Sequence, residues 1–198
     1  MLIRLLHKLA SQPVVYDWIQ RLAGVDQIYA RVAPHLRVSA ARPTILDVGG
    51  GTGTMRRFFP ADSQYICMDI EMPKLRGFRT KSRDGLAVLC DATKMSFRDG
   101  FADALICTSV AHHLTDDMLE VVLRESVRVL KPGGQLFFLD PIADPNRPIG
   151  RMIWKLDRGS HPRAADTLRN ALDRSFNVVR WEQFAVYHAY VFAIGVRT

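Results

Sequence analysis

The chain has 198 residues, a formal net charge of +7, 48% hydrophobic and 24% charged residues. This is ordinary globular composition, enough for one domain with a full core and too short for much of a second. Three cysteines, Cys67, Cys90 and Cys107, lie in apolar runs without paired spacing, which argues against a disulfide framework or a zinc site and for reduced, buried thiols in a cytoplasmic protein. No apolar run reaches membrane-span length. The positive charge favours acidic partners without choosing among nucleic acid, anionic lipid and a small anionic substrate. Its Lys and Arg residues are scattered, with no interleaved aromatic platform, which argues against a nucleic-acid substrate.

In chain order, MLIRLLHKLASQP is apolar and basic at helical spacing, and VVYDWIQRLA reads as a second helix ended by Gly24. A third is expected from Val25 to about Leu36. Then the period changes. TILDV (44–48) is a short apolar strand, followed by glycines and a helix from about Thr54 to Phe59, stopped by Pro60. Further strands are expected at Tyr65–Met68, Leu86–Cys90, Ala104–Cys107 and Gln135–Leu139. Between the last two, Asp116 or Asp117 caps a helix through Leu130, with Leu119, Val122, Leu123, Val127 and Leu130 on one face, ended by Lys131-Pro132-Gly133-Gly134. Continuously apolar strands alternating with helices indicate a parallel sheet covered on both faces. Residues 147–174 read as charged and helical. Phe176–Ala185 and Ala189–Val196 are too close for a crossover helix, so they form an antiparallel hairpin at the sheet edge.

The informative stretch is ILDVGGGTG (45–53), in which four of the six residues after Asp47 are glycine. In an open parallel sheet, ligands bind beyond the carboxyl ends of the strands, and glycines let backbone N–H groups approach them. The dinucleotide fingerprint G-x-G-x-x-G fails, because its third position is Thr54. No Lys-Ser/Thr follows for a phosphate loop. The pattern present is acid-x-G-x-G-x-G, carried by Asp47, Gly49, Gly51 and Gly53, with Gly50 added. Asp69 and Asp91 end the next two strands, so three acids stand at adjacent strand ends.

That loop resembles the first motif of class I S-adenosylmethionine-dependent methyltransferases. FADALICTSVAHHL (101–114) and LRESVRVLKPGGQLFFLD (123–140) resemble the fourth-strand and fifth-strand motifs of the same family. The nearest flavour is the ubiquinone and menaquinone biosynthesis type. The likeness spans roughly residues 42–141 and the terminal hairpin. It implies an α/β, doubly wound Rossmann-like fold of seven strands, order 3-2-1-4-5-7-6, with strand 7 antiparallel. The whole chain is then one domain: an N-terminal helical lid (1–41), a cofactor core (42–141), a substrate-side helical insertion (142–175) and the hairpin (176–198). The resemblance implies S-adenosyl-L-methionine as cofactor. Asp69 would take its ribose hydroxyls, Asp91-Ala92 its adenine edge, and Ile70, Thr108 and Ser109 would stand beside it. A carboxylate such as Asp47 suits the ammonium of the methionine part.

Methyl transfer to a hydroxyl or phenol is helped by a general base, and histidine suits neutral pH. His112 or His113 is the candidate, with Asp140 at the next strand end to orient it. The run Thr108-Ser109-Val110-Ala111 lacks the Asn/Asp-Pro-Pro-Tyr signature of amide- and amine-methylating members. Oxygen or carbon of a small-molecule or lipid-like acceptor is therefore expected. WKLDRGSHPRAADTLR (154–169) concentrates charge, and Arg158, His161 and Arg163 are candidates to bind an acidic substrate. The greasy basic N-terminal helix offers contact with a membrane surface. The competing readings are a non-catalytic S-adenosylmethionine-binding regulatory module and, behind it, an NAD-dependent oxidoreductase.

Overall fold

The computed structural model describes residues 24–82, 84–147, 150, 154 and 161–198. The two helices expected before Gly24, and Arg158, lie outside the described residues. The order of elements is α1 (Val25–Val32), β1 (Thr44–Val48), β2 (Gln64–Asp69), α2 (Met72–Lys81), β3 (Leu86–Leu89), β4 (Ala102–Thr108), α3 (Asp116–Val129), β5 (Leu130–Ile142), α4 (Ala165–Asp173), β6 (Asn177–Ala185) and β7 (Ala189–Val196). The seven strands form one sheet in the order β3-β2-β1-β4-β5-β7-β6. β1 to β5 pair in parallel, and β7 runs antiparallel to both β5 and β6.

Residues alternate across this sheet, so each strand feeds two cores. Leu46, Ile66, Leu105, Leu136 and Phe138 pack with Leu119, Val122 and Leu123 of α3 and Leu168 and Leu172 of α4. Ile45, Tyr65, Ile106, Phe137 and Leu139 pack on the other face with Ile28 and Val32 of α1 and Leu75 and Phe78 of α2. All three cysteines are free and buried. The chain leaves β1 toward β2 and β3 on one side and returns to β4 and β5 on the other. The carboxyl ends of β1 and β4 therefore flank the point where strand order reverses, the place such sheets leave for a ligand.

Several local expectations change. The segment after the glycines is a five-residue 3-10 turn, Thr54–Phe58, rather than an α-helix. Pro60 pushes Phe59 into extended backbone, and Arg56 donates to the carbonyls of Phe59, Pro60 and Ala61, closing the turn early. α2 was not anticipated, because only Leu75, Gly77 and Phe78 of its ten residues are buried, too narrow a stripe to read. Helix α3 is capped by Thr115, whose hydroxyl accepts from the Met118 amide at 3.3 Å, while Asp116 and Asp117 occupy its first turn. Its buried face is Leu119, Val122, Leu123, Ser126 and Val129, one notch from the expected stripe. β5 starts at Leu130 and carries the Pro-Gly-Gly turn within it. Leu130 pairs with Ala102 and Gln135 with Ala104, and a register shift absorbs the extra residues.

Candidate functional site

The glycine loop is folded tightly onto its neighbours. The Gly50 amide donates to the Met68 carbonyl at 3.0 Å and the Gly53 amide to the Gly50 carbonyl at 2.8 Å. Gly49 and Gly53 take φ of 65° and 75°, and a Cβ there would meet Val110 at 2.4 Å and the Phe78 ring at 2.2 Å. Glycine is thus required for backbone conformation and for space. Between this loop and the end of β4 lies a cleft open to solvent, lined by Tyr29, Gly49, Gly50, Thr54, Met55, Thr108 and Ser109. Ser109 holds a left-handed φ of 56°, with its amide bonded to the Leu139 carbonyl at 2.8 Å.

The three acids at the strand ends differ in their surroundings. Asp47 is wholly buried, and its Oδ2 accepts a hydrogen bond from the Tyr65 hydroxyl. Among the described residues its Oδ1 has no hydrogen-bond partner. Burial raises its pKa to about 7, against the lowering effect of the Tyr65 bond, and nearby Asp69 adds to the rise. Asp69 is nearly buried and accepts from the Gly51 amide at 3.0 Å and the Glu71 amide at 2.8 Å. A carboxylate has about four lone-pair sites, so accepting capacity remains. Asp91 is exposed, and its Oδ1 accepts from the amide and hydroxyl of Thr93 at 2.8 and 2.7 Å. Ala92 follows it. Ile70 stands 70% exposed beside Asp69, and Leu89, the register partner of Asp69, is 55% exposed. An apolar rim therefore borders these acids.

At the end of β4 the chain makes a 3-10 turn, Ala111–His113, clasped by Asp140 at the end of β5. The buried Asp140 carboxylate accepts from the amides of Val110 (2.9 Å), Ala111 (2.8 Å) and His112 (3.1 Å), and its Oδ1 lies 2.8 Å from His112 Nδ1. With Nδ1 as the donor, this contact and the His112 amide bond to the same oxygen fix the orientation of the ring. His113 is exposed, its ring 4.0 Å from that of His112. The ring of His112 also meets Trp154 (5.6 Å), Trp154 meets His188 (5.0 Å), and His188 meets Tyr190 (6.2 Å).

Arg163 is not available to an acidic substrate in the way the sequence suggested. Its guanidinium donates to Asp116 Oδ1 at 2.7 Å and to the carbonyls of Ala111 (2.8 Å), Leu114 (2.6 Å) and His161 (3.3 Å). It is 7% exposed and braces the loop that carries His112. His161 is exposed, and its amide donates to the His112 carbonyl at 2.6 Å. Tyr29, Met55, Tyr65, Trp154 and His188 were not singled out from the sequence. Of these, Tyr65 carried a signal: a phenol inside a buried strand needs a polar partner.

Residues 46–138 match the Methyltransferase domain family. A ubiquinone/menaquinone biosynthesis C-methyltransferase of Vibrio campbellii is 33% identical over 156 residues, 70% of this chain and 58% of that protein. Over these residues the chain is similar to class I S-adenosylmethionine-dependent methyltransferases. A tRNA (carboxymethyluridine(34)-5-O)-methyltransferase of Arabidopsis thaliana is 34% identical over 126 residues, 56% of this chain and 30% of that protein. The chain thus spans less than two thirds of either relative. In fold it is similar to the magnesium protoporphyrin IX methyltransferase of Synechocystis PCC 6803, solved with bound S-adenosylhomocysteine (TM-score 0.70, 14% identity, 91% of this chain and 84% of that one).

The residues of this chain fit S-adenosylmethionine as a cofactor. The loop backbone is cleared of side chains where a Cβ would collide. Below it, Asp47 keeps a buried oxygen unsatisfied among the described residues, the kind of atom that a cationic ammonium, directly or through water, would satisfy. Among these residues no helix is long and apolar enough to cross a membrane.

Proposed function

We propose that this methyltransferase moves a methyl group from S-adenosylmethionine to oxygen or carbon of a small-molecule or lipid-like acceptor. The observation that carries the reading is the juxtaposition of two devices at the switch point: the glycine-lined cleft, whose loop abuts Asp47 at Gly50 and bonds Asp69 through Gly51, and the His112–Asp140 pair at the ends of β4 and β5. Asp69 offers its remaining lone pairs to the ribose hydroxyls. Asp47 serves the ammonium. Asp91, Ala92 and the exposed Ile70 border the adenine, and Thr108 and Ser109 form the floor. When bound, the cofactor supplies an electrophilic methyl on a sulfonium sulfur. The chain aligns the acceptor with it, and His112, oriented by Asp140, takes the acceptor's proton. The aromatic series Trp154–His188–Tyr190, which meets His112 through Trp154, suits a flat apolar acceptor.

A second reading, a nucleic-acid acceptor, draws support from the tRNA-modifying relative and the +7 charge. One assay separates the two. Transfer of tritiated methyl from S-adenosylmethionine is measured into quinols and phenols, into lipid extracts and into tRNA. Label in the first or second class supports the proposal, and label in tRNA alone supports the second reading. His112→Ala is expected to cut turnover by about 100-fold while S-adenosylhomocysteine still binds. Cofactor binding without label in any class would favour the regulatory-module reading.

A further inference from the structure

Tyr65 is the second residue of β2 and is 1% exposed. Its ring lies among Phe59 and Phe78, with centroids 6.1 Å away in each case, and the Arg56 guanidinium sits 5.5 Å over it. Phenylalanine would fill such a position without bringing a polar atom into the core. The tyrosine hydroxyl is satisfied by Asp47 Oδ2. That leaves Oδ1, buried and without a partner among the described residues, as the accepting atom of the pair. The carboxylate also abuts the loop, since a Cβ on Gly50 would fall 2.5 Å from Asp47 Oδ2, and Gly50 lines the cleft.

We propose that Tyr65 is a positioning residue for cofactor binding: its hydroxyl engages Asp47 Oδ2, leaving Oδ1 for the ammonium of the cofactor's amino-acid part, so that binding ionises Asp47 and releases a proton. The inference rests on the S-adenosylmethionine reading of the glycine loop. Among the described residues, the groups around the pair besides Arg56 are Cys67 and Asp69 on β2, Cys107 on β4 and Tyr29 on α1. Burial pushes both thiols well up, so they stay neutral and release nothing near pH 7. Asp47, raised to about 7 by burial, is half protonated there. A cation beside it favours the ionised form. Affinity therefore rises with pH up to about 7 and levels off above it, and proton release is largest on the acid side.

The test is calorimetric titration of the whole chain with S-adenosylhomocysteine and with 5′-methylthioadenosine, which lacks the amino-acid part. Each is run in two buffers of different ionisation enthalpy, from about pH 5.5 to about 8.5, a window that brackets the Asp47 titration. The expected result is proton release with S-adenosylhomocysteine only. Tyr65→Phe should weaken that ligand about tenfold near pH 7, the scale of one hydrogen bond to a charged group. It should also move the midpoint of the pH dependence upward, since the lowering influence on Asp47 is gone, and leave methylthioadenosine unaffected. Asp47→Asn should bind S-adenosylhomocysteine weakly and without proton release, and proton release retained in that variant would overturn the proposal even if Tyr65→Phe folds poorly. Absence of proton release from the wild type, or equal weakening of both ligands by Tyr65→Phe, would overturn the proposal and leave Tyr65 a packing residue. Failure of both ligands to bind the wild type would instead overturn the cofactor reading, and the proposal with it.

Discussion

The two sides of the cleft are built by opposite means. On the β1–β2 side the backbone is cleared: glycines with positive φ fold the loop tightly without side chains, and Asp47 and Asp69 stand against it with accepting capacity to spare. On the β4–β5 side everything is clamped. Asp140 accepts from three successive amides and one imidazole, and Arg163 ties off the carbonyls on the far side of the same turn. One side keeps polar atoms in reserve for a ligand, and the other uses its polar atoms on itself to hold a histidine still. Under the proposed function, the spare oxygen of Asp47 serves the cofactor and the saturated carboxylate of Asp140 stores orientation.

The sharpest way to break this contrast is to remove a clamp. Asp140→Ala should cost about 3–5 kcal/mol, since four donors lose their acceptor in a buried setting, read by urea unfolding. Arg163→Ala should cost about 2–3 kcal/mol, because the Ala111 and Leu114 carbonyls lose their donors and a cavity remains. Its folded fraction should still bind S-adenosylhomocysteine with little change, measured by calorimetry. If Arg163→Ala abolished that binding without destabilising the fold, the separation of the two sides would be false.

On the open side the expected sign reverses. Asp47 has a folded pKa of about 7, above its ordinary 3.8. Its favourable contribution to stability is thus fully present below about pH 4 and is lost as the pH rises through about 7. Asp47→Asn should make the ligand-free protein more stable above pH 7, on the order of 2 kcal/mol, while weakening cofactor binding. Equal stability of the two proteins across that range, by thermal melts at successive pH values, would show that the buried charge carries no cost. The smallest effect belongs to His113→Ala. With its ring exposed, both stability and S-adenosylhomocysteine affinity should stay within about 0.5 kcal/mol of wild type.

The same contrast explains what could be read from the chain. The open side is local: Asp47 through Gly53 is one contiguous motif, and Asp69 ends the next apolar run, so spacing alone exposed it. The strand order followed from the likeness carried by those motifs. The clamped side is made by long-range bonds, such as Arg163 to Ala111, 52 residues apart. A charged arginine in a charged segment looks like a surface group until the fold buries it. Helix α2 escaped notice for a related reason: with Phe78 and Leu75 as its main anchors, it is shaped by what it covers more than by its own periodicity. Tyr65 was legible in principle, but its partner sits on the neighbouring strand and only the register Ile45–Tyr65, Asp47–Cys67 brings them to one face.

The central claim is that the open side cradles S-adenosylmethionine, and thermal melting with ligand tests it most directly. S-adenosylhomocysteine at about a hundred times its dissociation constant should stabilise the fold by roughly 2.7 kcal/mol. The shift should be largely lost in Asp69→Ala and absent with NAD. A shift with NAD alone, or the same S-adenosylhomocysteine shift in Asp69→Ala as in the wild type, would contradict the account.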